Sequence, residues 1–241
     1  MLNRPQSRNA INGAVTRALA WIVEEVEASP DIIVAVLSSA TPGMFCAGAD
    51  LAEIAQGGGA DLVDPVKGFG GFVKAERAKP WIAAVDGAAM GGGFELALAC
   101  DMIVASERAL FGLPEVKRGL MAMAGGAIRL PRLMPRALAI EALLTGDPIT
   151  PEVAATHGLV NSVVPPAALY ETATGLAARI ARNAPIALRE SLQLAHAADS
   201  ADETGLWQAN DVATMRVVTS ADAREGPLAF MEKREPRWSG T

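Results

Sequence analysis

The chain has 241 residues, 51% of them hydrophobic, which is enough for a sizeable buried core in one large domain or one and a half. Its 27 acidic and 21 basic side chains leave a net charge of −6 with no Lys/Arg-rich block, which argues against nucleic acid as a main partner. Two widely separated cysteines, Cys46 and Cys100, make neither a disulfide framework nor a zinc spacing and fit a reducing cytoplasm. No run approaches the ~20 apolar residues of a membrane span.

The start, "MLNRPQSRNAIN", lacks a cationic-then-apolar signal region, and it opens abruptly with no strand before it. An N-terminal segment is therefore expected to be missing. Residues 13–28 have apolar positions at helical spacing; "SPD" breaks the pattern, and the β-branched run "IIVAVLSS" (32–39) reads as a buried strand. Residues 40–50, "ATPGMFCAGAD", read as a loop before a short helix at "LAEIAQ". The glycine-rich stretch 57–71 reads either as a mobile flap or as an inert surface loop.

"PWIAAVDG" (80–87) is a second apolar strand, followed by three glycines and a helix at 92–99. "DMIVAS" (101–106) is a strand, "ALFGLPE" (109–115) a strand-to-loop passage, and residues 125–146 are helical on either side of proline punctuation. One more strand falls at 159–166, and 167–232 are almost wholly helical in pattern. Alternating strands and helices imply parallel strands joined by right-handed crossovers, with a strand-poor helical end that covers the core or meets a partner.

Most familiar signatures are absent: no GxGxxG follows a strand, and neither GxxxxGK[ST] nor GxSxG occurs. His157 and His196 lack metal-ligand spacing and read as surface or packing residues. What remains is glycine-lined backbone beside acids. In "FCAGAD", Ala49 follows Gly48 between a strand and a helix; in "MGGGFE", Gly92 occupies the same kind of passage. Two N–H groups converging from such turns would make an oxyanion hole, often worth ~3 kcal/mol per donor. Close packing of helix on strand is the competing explanation for the glycines. Glu95, in the first helical turn, is either a dipole-favoured acid or a buried carboxyl in apolar surroundings. Glu115, in "FGLPEVKRG", either pairs with Lys117 or Arg118 or faces the same site as Glu95, where two acids would bind one water and exchange protons with it.

Together these pieces resemble the crotonase (enoyl-CoA hydratase/isomerase) superfamily. "LNRPQSRNAIN" is similar to its N-terminal signature, "FCAGADL" to its first oxyanion-hole loop and "VDGAAMGGGFELALACD" to its second. "FGLPEVKRGL" through "HGLVNSVVP" and "EGPLAFMEKREPRW" extend the likeness along almost the whole chain. The resemblance implies an α/β spiral of ββα turns over residues 1–180, of the ClpP/crotonase-like kind. It implies a helical C-terminal trimerisation region over 181–241, and a homotrimer or a homohexamer built as a dimer of trimers.

It also implies an acyl-CoA thioester whose carbonyl oxygen is held by the N–H groups of Ala49 and Gly92, with no metal and no cofactor beyond the coenzyme A of the substrate itself. Hydratases of the family carry two glutamates, and both positions are filled here, by Glu95 and Glu115. The pair favours water addition or elimination. An isomerase relying chiefly on Glu115, or a non-catalytic acyl-CoA-binding scaffold, are the rivals. The wording of "GGFELALACD" and "LPEVKRGL" also resembles the carnitinyl-CoA dehydratase branch, which suggests a polar acyl group.

By the same resemblance the substrate lies along Ala47, Gly48, Asp50, Leu51 and Gly91. Arg4 or Arg8 would sit near phosphate, and Phe230 and Lys233 would reach the coenzyme A of a neighbouring copy. One departure stands out. Ala122 and the bulkier Met123 precede "AGG" where hydratases usually show a proline and a small residue, so Met123 is expected to narrow the pocket or to change the acyl preference.

Overall fold

A computed structural model describes all residues, Met1–Thr241. The first helix, α1 (Gly13–Ala28), starts where predicted because Asn12 caps it: its side chain accepts from the Val15 N–H. Strands β1 (Ala35–Ser38) and β2 (Met44–Cys46) then precede α2 (Leu51–Ala55), which Asp50 caps by accepting from the Ala52 and Glu53 N–H groups. The stretch read as a loop, 40–50, thus holds a strand. The supposed flap folds as a 3-10 turn (Gly58–Leu62) and a small hairpin of β3 (Val63–Asp64) and β4 (Gly68–Phe69).

The same unit recurs. Strands β5 (Trp81–Val85) and β6 (Ala88–Met90) lead into α3 (Gly92–Leu98). Strands β7 (Met102–Ser106) and β8 (Leu110–Gly112) lead through a 3-10 turn (Pro114–Arg118) into α4 (Gly126–Leu133) and α5 (Arg136–Thr145). Pro131 lies inside α4, so the break falls later, at Met134 and Pro135; a helix of two turns loses only one ladder bond to that proline. A short helix, α6 (Pro151–Thr156), and β9 (Ser162–Val164) complete the core.

In each turn one strand joins each of two parallel sheets, ordered β1-β5-β7-β9 and β2-β6-β8. This is the ββα spiral that the resemblance implies. Strand β5 shows how the layers form: all five residues are buried, yet alternate side chains serve different clusters. Ala83 and Val85 join the main core, whereas Ile82 and Ala84 pack with Val104 beneath Leu169 and Ala173 of α7 (Leu169–Ala181). Helices α8 (Pro185–Ala197), α9 (Glu203–Thr219) and α10 (Asp222–Glu232) follow. No helix is long and apolar enough to cross a membrane.

Candidate active site

The glycine turns of the sequence come into contact. A Cβ added to Gly48 would lie 2.8 Å from the Met90 carbonyl and 3.1 Å from the Gly92 nitrogen. Both turns use backbone that L-residues avoid, with φ +95° at Gly48 and +53° at Gly91. The Ala49 N–H is aimed by its neighbours: Ile11 donates to the Gly48 carbonyl, and the Asp50 N–H donates back to Ile11. Because successive groups of an extended chain point to opposite sides, the Ala49 N–H faces away from Ile11. Neither it nor the N–H of Gly92, the first residue of α3, donates to any acceptor in the chain. Two unused donors on touching turns suit a developing oxyanion.

Glu95 is 3% exposed, among apolar side chains of α3. Its Oε1 accepts from the Gly126 N–H at 2.8 Å. Burial pushes its carboxyl up to about 7; the Gly126 N–H pulls the other way, and the neighbouring Glu115 charge adds to the rise. Glu115 sits in the 3-10 turn after β8, its Oε1 3.1 Å from where a Cβ on Gly91 would be. Burial raises its carboxyl as well, and its Oε2 is buried with no hydrogen-bond partner. The surface pairing that competed for Glu115 does not form: Lys117 pairs with Asp147, and Arg118 donates to the Pro114 carbonyl. Two carboxyls from different elements, α3 and the turn after β8, are thus neighbours, one aimed by a backbone N–H and one with a free buried oxygen.

The remaining predicted residues divide into those beside the turns and those away from them. Ala47 donates its N–H to the Arg8 carbonyl, which ties the first segment to the 46–50 turn. Arg4 donates to the Ala10 carbonyl and pairs with Asp50 at 3.0 Å, so this guanidinium braces the turn from within the chain. Arg8 is exposed, in the left-handed region. Leu51 opens α2 and is exposed. Met123 is 69% exposed, while Ala122 is the buried member of that pair. Phe230 and Lys233, at the end of α10, are exposed and make no side-chain hydrogen bond within the chain. His196, read as a surface or packing residue, pairs with Asp101 at 2.6 Å. A cleft of about 870 Å³ between Val73–Ala78, the end of α3, α4 and α8 contains none of the predicted residues.

Two positions escaped the sequence reading. Gly126, which holds Glu95, belongs to a third glycine-to-helix passage, "AGGAI", whose likeness to "MGGGF" was the available signal. Phe69, from the supposed flap, lays its ring against Gly92 so closely that no Cβ fits there.

Two unused backbone donors beside one buried and one half-buried acid, on a parallel ββα spiral, define a site able to polarise a carbonyl and move protons beside it. The chain belongs to the enoyl-CoA hydratase/isomerase family, whose model matches residues 1–241. It is similar to a carnitinyl-CoA dehydratase of Proteus mirabilis, 38% identical across all of this chain and 94% of the relative. Among solved structures it resembles an enoyl-CoA hydratase from Mycobacterium tuberculosis H37Rv, 41% identical with a TM-score of 0.95 over 99% of this chain and 93% of that one. A carnitinyl-CoA hydratase from Mycobacterium avium is 45% identical, with a TM-score of 0.78 over the same shares. The fold is that of the crotonase superfamily.

Proposed function

We propose that the chain adds water across the double bond of a 2-enoyl-CoA thioester, or removes it from the 3-hydroxyacyl product. The observation that carries this reading is the pair of neighbouring carboxyls, Glu95 buried and Glu115 half-buried with its Oε2 shut away from solvent, beside two unused N–H donors. Ala49 and Gly92 hold the thioester oxygen as it takes up negative charge. Both carboxyls hold one water. Glu95 takes a proton from it as the oxygen bonds to the β-carbon; Glu115 gives a proton to the α-carbon as the enolate collapses. A base near 7 suits the first role, and a carboxyl whose proton is held more tightly because of burial suits the second. Coenzyme A enters as part of the substrate, along Ala47, Gly48, Asp50, Leu51 and Gly91, and no step needs a metal or redox cofactor.

A second reading concerns the acyl group. The similarity to carnitinyl-CoA dehydratases favours dehydration of a polar 3-hydroxyacyl-CoA. Loss of the conjugated thioester absorbance of crotonyl-CoA tests hydration, and a panel of apolar and quaternary-ammonium enoyl-CoA esters ranks the two acyl classes by kcat/KM. Retained activity in Glu95→Gln overturns the two-acid mechanism; activity confined to Glu115 with double-bond migration supports an isomerase. Tight binding without turnover supports a scaffold. We further read the assembly as a trimer or a pair of trimers. The exposed apolar side chains Trp207, Met215, Phe230 and Met231 on α9 and α10 support it, and sedentation velocity tests it.

A further inference from the structure

Arg129, on α4, spends a half-buried cation on two neutral acceptors. Its Nη1 donates to the Ala124 carbonyl at 3.3 Å and its Nη2 to the Val73 carbonyl. It forms no ion pair: none of the chain's salt bridges includes it, and its guanidinium packs so tightly beneath Gly125 that a Cβ there would collide with it. Two carbonyl contacts alone do not call for a charge, since an uncharged amide donates as well.

What the side chain joins gives the charge a purpose. Ala124 stands two residues before Gly126, whose N–H holds Glu95. Val73 closes the turn that begins at Phe69, its N–H bonded to the Phe69 carbonyl at 3.3 Å, and the Phe69 ring packs on Gly92. One guanidinium therefore ties the loop behind the acid to the turn beneath the N–H donor. We infer that Arg129 is a positioning residue for Glu95, clamping the Ala124–Gly126 loop to the Phe69–Val73 turn and setting the charge that Glu95 meets.

This inference rests on the hydratase reading for its kinetic consequence but not for its electrostatic one. The charges around the pair come from several elements. Glu95 faces Glu115 from the 3-10 turn after β8 and Arg129 from α4. Arg129 faces Arg77 from the segment after β4, Arg132 on its own helix and the Cys100 thiol beyond α3. Burial and Arg77 both oppose the Arg129 charge, while Glu95 favours it. Removing that charge leaves Glu95 with Glu115 as its main charged neighbour, so its proton is held more tightly.

The test uses the full-length protein and the variants Arg129→Gln and Arg129→Lys. The Glu95 carboxyl is titrated by carbon-13 NMR without substrate, with Glu95→Gln as the assignment reference, and crotonyl-CoA hydration is followed separately. In Arg129→Gln the Glu95 titration is expected to move to higher pH by about one unit, a tenfold change in ionisation. In Arg129→Lys it is expected to stay near wild type while kcat falls about 10-fold or more with little change in KM, because an ammonium lacks the fork that spans two carbonyls. An unmoved Glu95 titration in Arg129→Gln, or wild-type kcat in Arg129→Lys, overturns the inference. If Arg129→Gln does not fold, the Arg129→Lys result decides alone. A wild type that hydrates no enoyl-CoA overturns the hydratase reading and leaves the NMR comparison to decide this one.

Discussion

The N–H of Gly126, the first residue of α4, donates to Oε1 of Glu95 at 2.8 Å, which joins two glycine-to-helix passages through one carboxyl. The bond fixes the rotamer of an acid that has almost no contact with solvent. It does not cancel the cost of burial, because the carboxyl still rests at about 7. The site therefore keeps a group that the folded chain prefers neutral and that the proposed chemistry needs charged.

That preference has a sign. An ordinary glutamate ionises near 4.5, so below that pH Glu95 is protonated whether the chain is folded or not, and it makes no difference to stability. As pH rises through about 7, the native state must charge a buried group, and stability worth about 3 kcal/mol at most is lost. Glu95→Gln keeps an acceptor for Gly126 and cannot ionise. It is expected to melt above wild type at pH 8 and level with it at pH 4, while hydration falls at least about 100-fold. Calorimetry at the two pH values, beside the absorbance assay, checks both; a variant that melts lower at pH 8 refutes the burial cost.

Glu115 acts on Glu95 through its charge, which raises the Glu95 carboxyl. In Glu115→Gln, Glu95 is expected to ionise at lower pH than in wild type, because one negative neighbour is gone. Turnover is expected to drop at least about 100-fold, since the proton donor to the α-carbon is lost. Carboxyl NMR reads the first outcome and single-turnover kinetics the second. A Glu95 titration that stays put means the two acids do not sense each other.

Gly93 lies in α3, where alanine in place of glycine ordinarily gains up to about 1 kcal/mol. Here a Cβ would run into the Cys46 carbonyl and lie 2.7 Å from the Cys46 Cβ, both in the strand beneath. Gly93→Ala is expected to lose about 3 kcal/mol or more. Gly175→Ala in α7 is the control: nothing lies within 4 Å of its added Cβ, and it is expected to gain the ordinary amount. Urea unfolding of the two variants separates packing from propensity; equal shifts would mean that α3 has room to move off β2.

These glycines also show what a sequence reveals and what it hides. The first sheet was legible because β5 and β7 are five-residue apolar runs, buried on both faces and bounded by turn residues. The second sheet was not. Its strands β2, β6 and β8 have three residues each, too few for any period, and β2 hides in a stretch rich in turn residues. The acids Glu95 and Glu115 could be singled out, but their meeting depends on that second sheet, in which Met90 pairs with Gly112 and so carries α3 alongside the Pro114–Arg118 turn. Arg129 left no signal at all, since its partners are backbone carbonyls that every residue carries.

Asn9 makes a last case, because the sequence gives it no distinction and the structure gives it a network of side-chain bonds. It is 1% exposed with φ +57°. Its amide donates to the Ser39 hydroxyl at 2.8 Å and to the Met44 and Phe45 carbonyls at 3.2 and 3.0 Å, while its carbonyl accepts from the Arg4 N–H at 2.7 Å. It thereby fixes the strand that runs straight into Gly48 and Ala49. Asn9→Ala leaves these groups unpaired and places a Cβ-bearing residue without local polar compensation in the left-handed region; the cost is expected to reach about 3 kcal/mol. Asn9→Gly removes the backbone strain but not the lost bonds, so it is expected to recover about 1 kcal/mol of that. If Asn9 holds the Ala49 N–H in place, both variants lose kcat with little change in KM when assayed well below their melting temperatures, and Asn9→Gly loses it as fully as Asn9→Ala. Full turnover in Asn9→Gly would show instead that the 46–50 turn keeps its shape through Arg4 and Asp50 alone.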